Sequence, residues 1–431
     1  MNIIRHPDRG SWPGILQRPE LNYKKLEGQV EQIIQDVAKN GDDAVRSYTR
    51  QFDKVDMDQL EVSRDEMNKA GKEVDIALKK AIEEAHWNIL TFHKKQLHQL
   101  DTIVTTAGVR CWQKPMPIQK VGLYIPGGSA PLLSTVLMLG IPAKIAGCQE
   151  VVLCSPPDKY GKVNPTILYI AKLLGIDRVF SVGGVQAIAA MAHGTESIPA
   201  VHKIFGPGNQ FVTMAKQIVS RETVAIDMPA GPSELAVVAD ATSNPAFIAS
   251  DLLSQAEHGP DSQVLLFSDS GDMIGRVQAE LKEQLAKLPR RKIAEAALEH
   301  SKMILLKDQE EIMDMVNLYA PEHLIIVSEN YAELAEKVVN AGSVFLGDYT
   351  PESAGDYASG TNHTLPTNGW AVSCSGVNMD SFYKKISYQE ISKYGLFNIG
   401  QSIMKMAEAE QLQAHSNAVS LRLNYSNTDN E

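Results

Sequence analysis

Apolar residues recur every three to four positions between about residues 26 and 100, as in Val30, Ile33, Ile34 and Val37, which is the period of an amphipathic helix. The stretch "NGDD" at 40–43 interrupts that run. From about 118 to 238 short β-type runs alternate with helical stretches: "VGLYIP", a helix from about Ser134, "VVLCSP", "NPTILYIAKLLG", "RVFSVG", "VHKIFGPG" and "TVAIDMP". A second series, "LAVVAD", "QVLLFS", "MILL", "LIIV" and "SVFLG", is again separated by helical segments and ends near 347. Strands alternating with helices predict parallel sheets joined by crossover helices. After 348 comes "DYTPESAGDYASGTNHTLPTNGW", part of a loop of about 30 residues and far longer than an ordinary connection, which marks it as functional. From about 380 the pattern is helical again, to "KMAEAEQLQAHSNAVSLRL".

The pattern predicts an α/β chain with two open, incomplete Rossmann-like parallel-sheet domains and helical extensions at both ends. Residues 1–25 form an N-terminal extension. Residues 26–117 plus 239–379 form the first α/β domain, 118–238 the second, and 380–431 a small helical terminal domain. A length of 431 residues suits several domains at roughly 100–200 residues each. The formal charge of −11 and pI near 5.5 argue against a nucleic-acid surface, which needs clustered Lys and Arg. A small-molecule partner is expected instead. The four cysteines, Cys111, Cys148, Cys154 and Cys374, include no C-x-x-C pair, so neither a thiolate zinc site nor a disulfide framework is indicated. With no apolar leader and no run of about 18 apolar residues, the expectation is a cytoplasmic protein without membrane spans.

The stretch "TSNPAFIASDLLSQAEHGP" has clear helix ends: Asn244 caps, Pro245 takes the first position, and Gly259–Pro260 closes it. Gln255 and His258, three apart, share a face and can share one ligand, whereas Glu257 points elsewhere. A cation there would meet the negative end of the helix dipole. The same residues also fit a helix end whose polar groups bond free carbonyls. Further ligands would come from Asp348, Glu352, Asp356 and His363 in the long loop, or Glu408, Glu410 and His415 in the last helices, and spacing does not choose among them. Oxygen and imidazole donors without thiolate suit zinc in an open site, or manganese.

Three glycine-bearing turns, "GLYIPGGSAP", "SVGGVQAIAA" and "FGPGNQFVTMAK", follow strands of the 118–238 series, where ligands of open α/β sheets bind. The last lacks the third glycine of G-x-G-x-x-G, since residue 211 is Phe, and no Walker A motif exists. In "APEHLIIVSE", Glu322 and His323 stand at the mouth of a buried strand. Both can serve one site only if Pro321 marks a bend. An imidazole there can accept protons near neutrality, and a carboxylate can orient it or activate water.

Taken together, "GLYIPGGSAP", "FGPGN", "DMPAGPSE", "DLLSQAEHGPDSQ", "APEHLII" and "SAGDYASGTNH" strongly resemble the histidinol dehydrogenase family over nearly the whole chain. The resemblance implies oxidation of L-histidinol through L-histidinaldehyde to L-histidine, the last steps of histidine biosynthesis, with two NAD+ and one Zn2+ per subunit. It implies Gln255, His258, Asp356 and His415 as zinc ligands and Glu322 and His323 as the catalytic pair. Ser233, His363 and Glu410 become substrate contacts beside the metal ligands and His323, while Tyr124, Gln186 and Asn209 hold NAD. It further implies a homodimer in which the terminal helical segment completes the neighbouring subunit's site. A zinc-dependent hydrolase would leave the three glycine turns without a task, and a non-catalytic two-lobed binding protein would leave the Glu–His pair unexplained.

Overall fold

The computed structural model describes residues 1–19, 23–97, 101–127, 132–229 and 231–425. Residues 128–131 of the first glycine turn, Ala230 of "DMPAGPSE", residues 20–22 of the expected N-terminal extension and the polar tail from 426 lie outside the described residues. Six parallel strands form one open sheet in the order Asn2–Arg5, Lys302–Leu305, Gln263–Ser268, Glu234–Ala239, His323–Val327 and Ser343–Leu346. Its central strands are buried on both faces. Leu235, Val237 and Ala239 pack into one core while Ala236 and Val238 pack into another, which is why these runs are continuously apolar. The first strand comes from the segment read as an N-terminal extension, Ile3 and Ile4 pairing with Met303 and Ile304 at the sheet edge.

Five further parallel strands lie in the order Arg178–Ser181, Glu150–Ser155, Lys120–Tyr124, Lys203–Phe205 and Ala225–Ile226. The helices Leu133–Ala146, Pro165–Leu173, Gly184–His193 and Gln210–Ser220 join them. The helices Tyr23–Phe52, Arg64–Glu73 and Ile76–Lys94 pack on these crossover helices. That departs from the expected grouping of 26–117 with the 239–379 strands. The reason is the apolar face of Val30, Ile33, Ile34 and Val37, which shares a core with Val185, Ile188 and Ala215. The expected break falls at Gly41, whose φ of 53° and whose closeness to the Glu196 carboxylate leave no room for a Cβ. Both sheets belong to one compact unit, Met1–Gln96 with Ile118–Phe382.

The second unit comprises Leu97–Pro117 and Tyr383–Glu431. The region expected to be wholly helical from 380 starts as a strand: Tyr383–Ile391 runs antiparallel to Val109–Pro117, which in turn pairs with Ile103–Thr106. Trp112 stacks on Tyr388 across that pairing, with ring centroids 5.5 Å apart. The helices Lys393–Ala409 and Gln413–Tyr425 follow and pack on each other. Among the described residues, no helix is long and apolar enough to cross a membrane.

The long loop after 347 carries the short helix Glu352–Tyr357 and ends pinned to the five-stranded sheet. Phe382 stacks on Phe205 with centroids 4.2 Å apart and planes within 9°, and the Lys203 ammonium donates to the Ser381 carbonyl at 2.9 Å. Both rings are fully buried. Phe382→Ala is therefore expected to destabilise the protein by about 3–5 kcal/mol, measurable by chemical denaturation; a loss below about 1 kcal/mol would show that this anchor is dispensable.

Candidate active site

The site is organised around the backbone of one residue, Glu234. Glu234 begins the central strand of the six-stranded sheet, so its N–H has no partner strand residue to satisfy it; it donates instead to Glu322 Oε2 at 2.9 Å. Its carbonyl accepts from Gln255 Nε2 at 3.0 Å and lies 3.3 Å from His323 Nδ1. His323 is the first residue of the neighbouring strand, in register with Leu235. Ala320, with φ 50°, ends the preceding helix, and the chain bends at Glu322, so Glu322 and His323 both reach the backbone of Glu234. Their side chains are buried with Nδ1 and Oε2 3.6 Å apart.

The Glu234 carboxylate is held from behind. Arg18 Nε and Nη2 fork onto its two oxygens at 2.5 and 2.9 Å, and the Asn368 N–H donates at 2.6 Å. Arg18 also donates to the Tyr319 carbonyl at 2.7 Å and lies over the Tyr319 ring. Burial raises the Glu234 carboxyl, with Arg18 opposing it.

In front of this frame lies a cluster of acids and imidazoles. Ligand atoms of His258, Glu352 and Asp356 lie within 4.8 Å of one another. Glu352 and Asp356 are four apart on one short helix, which brings both carboxyls to the same side. The helix bearing Gln255 runs from Pro245 to Ala256, with Asn244 capping and Pro245 leading it, so His258 stands just beyond its end rather than on its face. His323 Nε2 is 3.7 Å from Asp356 Oδ1, and Asp356 Oδ1 is 3.9 Å from His363 Nδ1. Gln255 Oε1, Glu352 Oε2 and His323 Nε2 are buried and have no hydrogen-bond partner. Unpaired buried polar atoms are expensive, and three beside one set of carboxylates and imidazoles are a donor set that would suit a cation and a polar substrate.

Burial alone would lower the His323 imidazole, but Glu352, Glu322 and Asp356 hold it well above the ordinary histidine value. Burial drives Glu352 well above the usual carboxylate range despite the opposing pull of His323. Burial also works to raise Asp356, yet His323, His363 and His258 together draw it below its ordinary value. Burial lowers His363, partly offset by Asp356. Asp251, one turn before Gln255, is pushed up to about 7 by burial. This field is one that a divalent cation would relieve.

A second constellation lies at the carboxyl ends of the five-stranded sheet. A Cβ on Gly127 or Gly183 would come within 2.9 or 2.6 Å of Pro156, so the turns after three adjacent strands close on one another. Gly206, φ 129°, lies against the Tyr124 carbonyl with no space for a side chain. Tyr124 itself is buried; its hydroxyl accepts the Gly184 N–H at 3.1 Å, and burial pushes the phenol up to about 12. Gln186 Oε1 is buried and without a partner, and exposed Asn209 caps the helix Gln210–Ser220 through its side-chain oxygen. Close-packed glycine turns with an orphaned amide oxygen form a cradle that fits a dinucleotide. The two constellations are linked: Thr135 Oγ1, on the helix after the first turn, lies 3.1 Å from His363 Nε2.

Of the residues singled out from sequence, Gln255, His258, Glu322, His323, Asp356 and His363 come together here, with Ser233 one residue before Glu234. Glu410 and His415 are exposed residues of the second unit. Glu352, one of the open candidates by spacing, was absent from the ligand set implied by resemblance; its i,i+4 relation to Asp356 was the available signal. Arg18 and Glu234 were missed, because an ion pair separated by more than two hundred residues leaves no local pattern. Cys148 and Cys154 are buried thiols with raised pKa values, Cys148 to about 11, as packed rather than reactive cysteines.

A family profile described as histidinol dehydrogenase matches residues 16–423. The chain is 58% identical over 424 residues to a Bacteroides thetaiotaomicron protein named histidinol dehydrogenase, covering 98% of this chain and 99% of that one. It is 51% identical over 413 residues to the Escherichia coli K12 protein of the same name, covering 95% and 94%. The crystal structure of histidinol dehydrogenase from Elizabethkingia anophelis superimposes with a TM-score of 0.97 at 51% identity, over 99% of each chain.

Removing one partner of the buried frame is the direct test of its importance. Arg18→Met is expected to cost about 3–5 kcal/mol in urea denaturation, and Arg18→Met/Glu234→Met clearly less than the sum of the single variants. Additive losses would mean that the pair does not act as a unit.

Proposed function

The chain belongs to the histidinol dehydrogenase family, and we propose that this site oxidises L-histidinol through L-histidinaldehyde to L-histidine, the closing steps of histidine biosynthesis, in a cytoplasmic homodimer. The observation that carries the reading is the state of His323: Nδ1 is engaged by the Glu234 carbonyl, and Nε2 faces the acid–imidazole cluster without a partner. An Nδ1–H donating to that carbonyl leaves Nε2 as the nitrogen that exchanges the proton, and a cation offsetting the carboxylates that otherwise hold the imidazole protonated would free it to act as a base.

Gln255, His258 and Asp356 of one subunit, with His415 of a second copy, are the proposed ligands of one zinc ion per subunit, and Glu352 borders them. Zinc, when bound, would offset the negative field of the carboxylates and hold the imidazole and amine of histidinol. The turns that carry Tyr124, Gln186 and Asn209 would hold NAD+, which would supply the hydride acceptor for each of the two oxidations. In each oxidation His323 takes the oxygen-bound proton as hydride leaves carbon. Between them the aldehyde adds water; Glu322, with Oε2 tied to the Glu234 N–H, is placed to accept the proton of that water, which supplies the second carboxylate oxygen. His363 and Ser233 contact the substrate from this chain and Glu410 from the second copy. Exposed Tyr394, Phe397 and Leu421 on the second unit support an interface there.

The purified protein with histidinol, NAD+ and zinc is expected to form about two NADH per histidinol consumed, as the four-electron balance requires; an absence of NADH would sink the proposal. His323→Asn is expected to lower kcat by about 10²–10⁴ with zinc content unchanged, the scale of a lost general base. His258→Asn should lose zinc by atomic absorption, and unchanged content would remove His258 from the ligands. Co-refolding inactive His258→Asn and His415→Asn chains should restore activity, because one site of each mixed dimer would hold both native histidines. No recovery would argue against shared sites.

A further inference from the structure

The buried pair Lys216–Asp227 belongs to neither constellation as a ligand, yet it encircles one residue of the cofactor cradle. Gly206 follows the strand Lys203–Phe205 and starts the turn "GPGN". Its N–H donates to Asp227 Oδ2 at 2.8 Å, and its carbonyl accepts from Lys216 Nζ at 2.7 Å. Lys216 Nζ lies 2.5 Å from Asp227 Oδ1, which also accepts the Met228 N–H at 2.8 Å. The ring is closed, and the two side chains are only 4% and 1% exposed, so neither can reach a ligand.

The three members come from three elements. Lys216 stands on the helix Gln210–Ser220, Asp227 follows the strand Ala225–Ile226, and Gly206 leads to Asn209, the cap of that same helix. Both polar groups of the Gly206 residue are thereby fixed in direction, on a backbone already pressed against Tyr124. The charges are spent on backbone, since the Gly206 N–H and carbonyl and the Met228 N–H would be left buried and unpaired by an apolar pair. What this fixes is orientation: a glycine held at both its N–H and its carbonyl fixes the peptide groups on either side of it, so the turn and the helix N-terminus can meet a dinucleotide without reorganisation on binding.

We propose that Lys216 and Asp227 are positioning residues for the cofactor, acting through Gly206 to hold the 206–209 turn in its dinucleotide-binding conformation. The proposal rests on the reading that the five-stranded half binds NAD. It is tested on the full-length protein by NADH fluorescence titration without substrate, together with steady-state kinetics. Lys216→Met, Asp227→Asn and the apolar double variant Lys216→Met/Asp227→Leu are compared with wild type. Weaker NADH binding by about ten- to hundredfold is expected in all three, the scale of a small misplacement of a binding group. KM for NAD+ should rise in parallel while KM for histidinol stays unchanged, and all three variants should fold but melt below wild type, since each leaves backbone groups unpaired. Wild-type NADH affinity in the folded variants would overturn the clamp, as would losses spread equally over both substrates. A wild-type protein that binds no NADH would instead overturn the cofactor assignment and the clamp with it.

Discussion

Everything at the acid–imidazole site depends on where the backbone of Glu234 is held. Its N–H fixes Glu322 and its carbonyl fixes Gln255 and His323, so the backbone of one residue sets the position of both proposed catalytic residues and of one proposed metal ligand. The side chain of the same residue is anchored by the Arg18 fork and by the Asn368 N–H. Three distant parts of the chain meet there: the N-terminal segment, the central strand and the long loop. A buried carboxylate tolerates this placement only with its full set of donors, which makes the frame stiff.

The two constellations lie at opposite ends of their sheets. In the five-stranded sheet the glycine turns gather at the carboxyl ends of adjacent strands, the usual place for a ligand in an open α/β sheet. In the six-stranded sheet Glu234 and His323 stand at the amino ends, where first-residue N–H groups are left over and can order carboxylates. The contact of Thr135 with His363 brings the end of one sheet to the start of the other, within a single compact unit. An acceptor held at one end and a base held at the other can then face the same carbon atom.

Much of this was legible without coordinates wherever the determining forces are local. The helix that carries Gln255 was bounded correctly at its start because Asn244 and Pro245 cap it by short-range geometry. All the strands of the two sheets except the edge strand Asn2–Arg5 follow from apolar runs, since parallel strands buried on two faces carry no alternation. The reading failed where pairing is non-local. Helices 23–94 were assigned to the wrong sheet because an apolar face does not name its partner. Residues 383–391 were read as helix because their antiparallel mate lies more than two hundred residues away in the sequence.

The sequence by itself determined the class of fold, the family and which residues to consider for the chemistry, because glycine turns, caps and the Glu–His pair are short motifs whose residue types are demanded by local geometry and reactivity. Only the tertiary structure decided that Arg18 supports the catalytic frame, that Glu352 stands beside His258 and Asp356, and that Lys216 and Asp227 close around Gly206. Those are interactions between groups brought together by packing, and a one-dimensional pattern carries no record of which buried charges will meet.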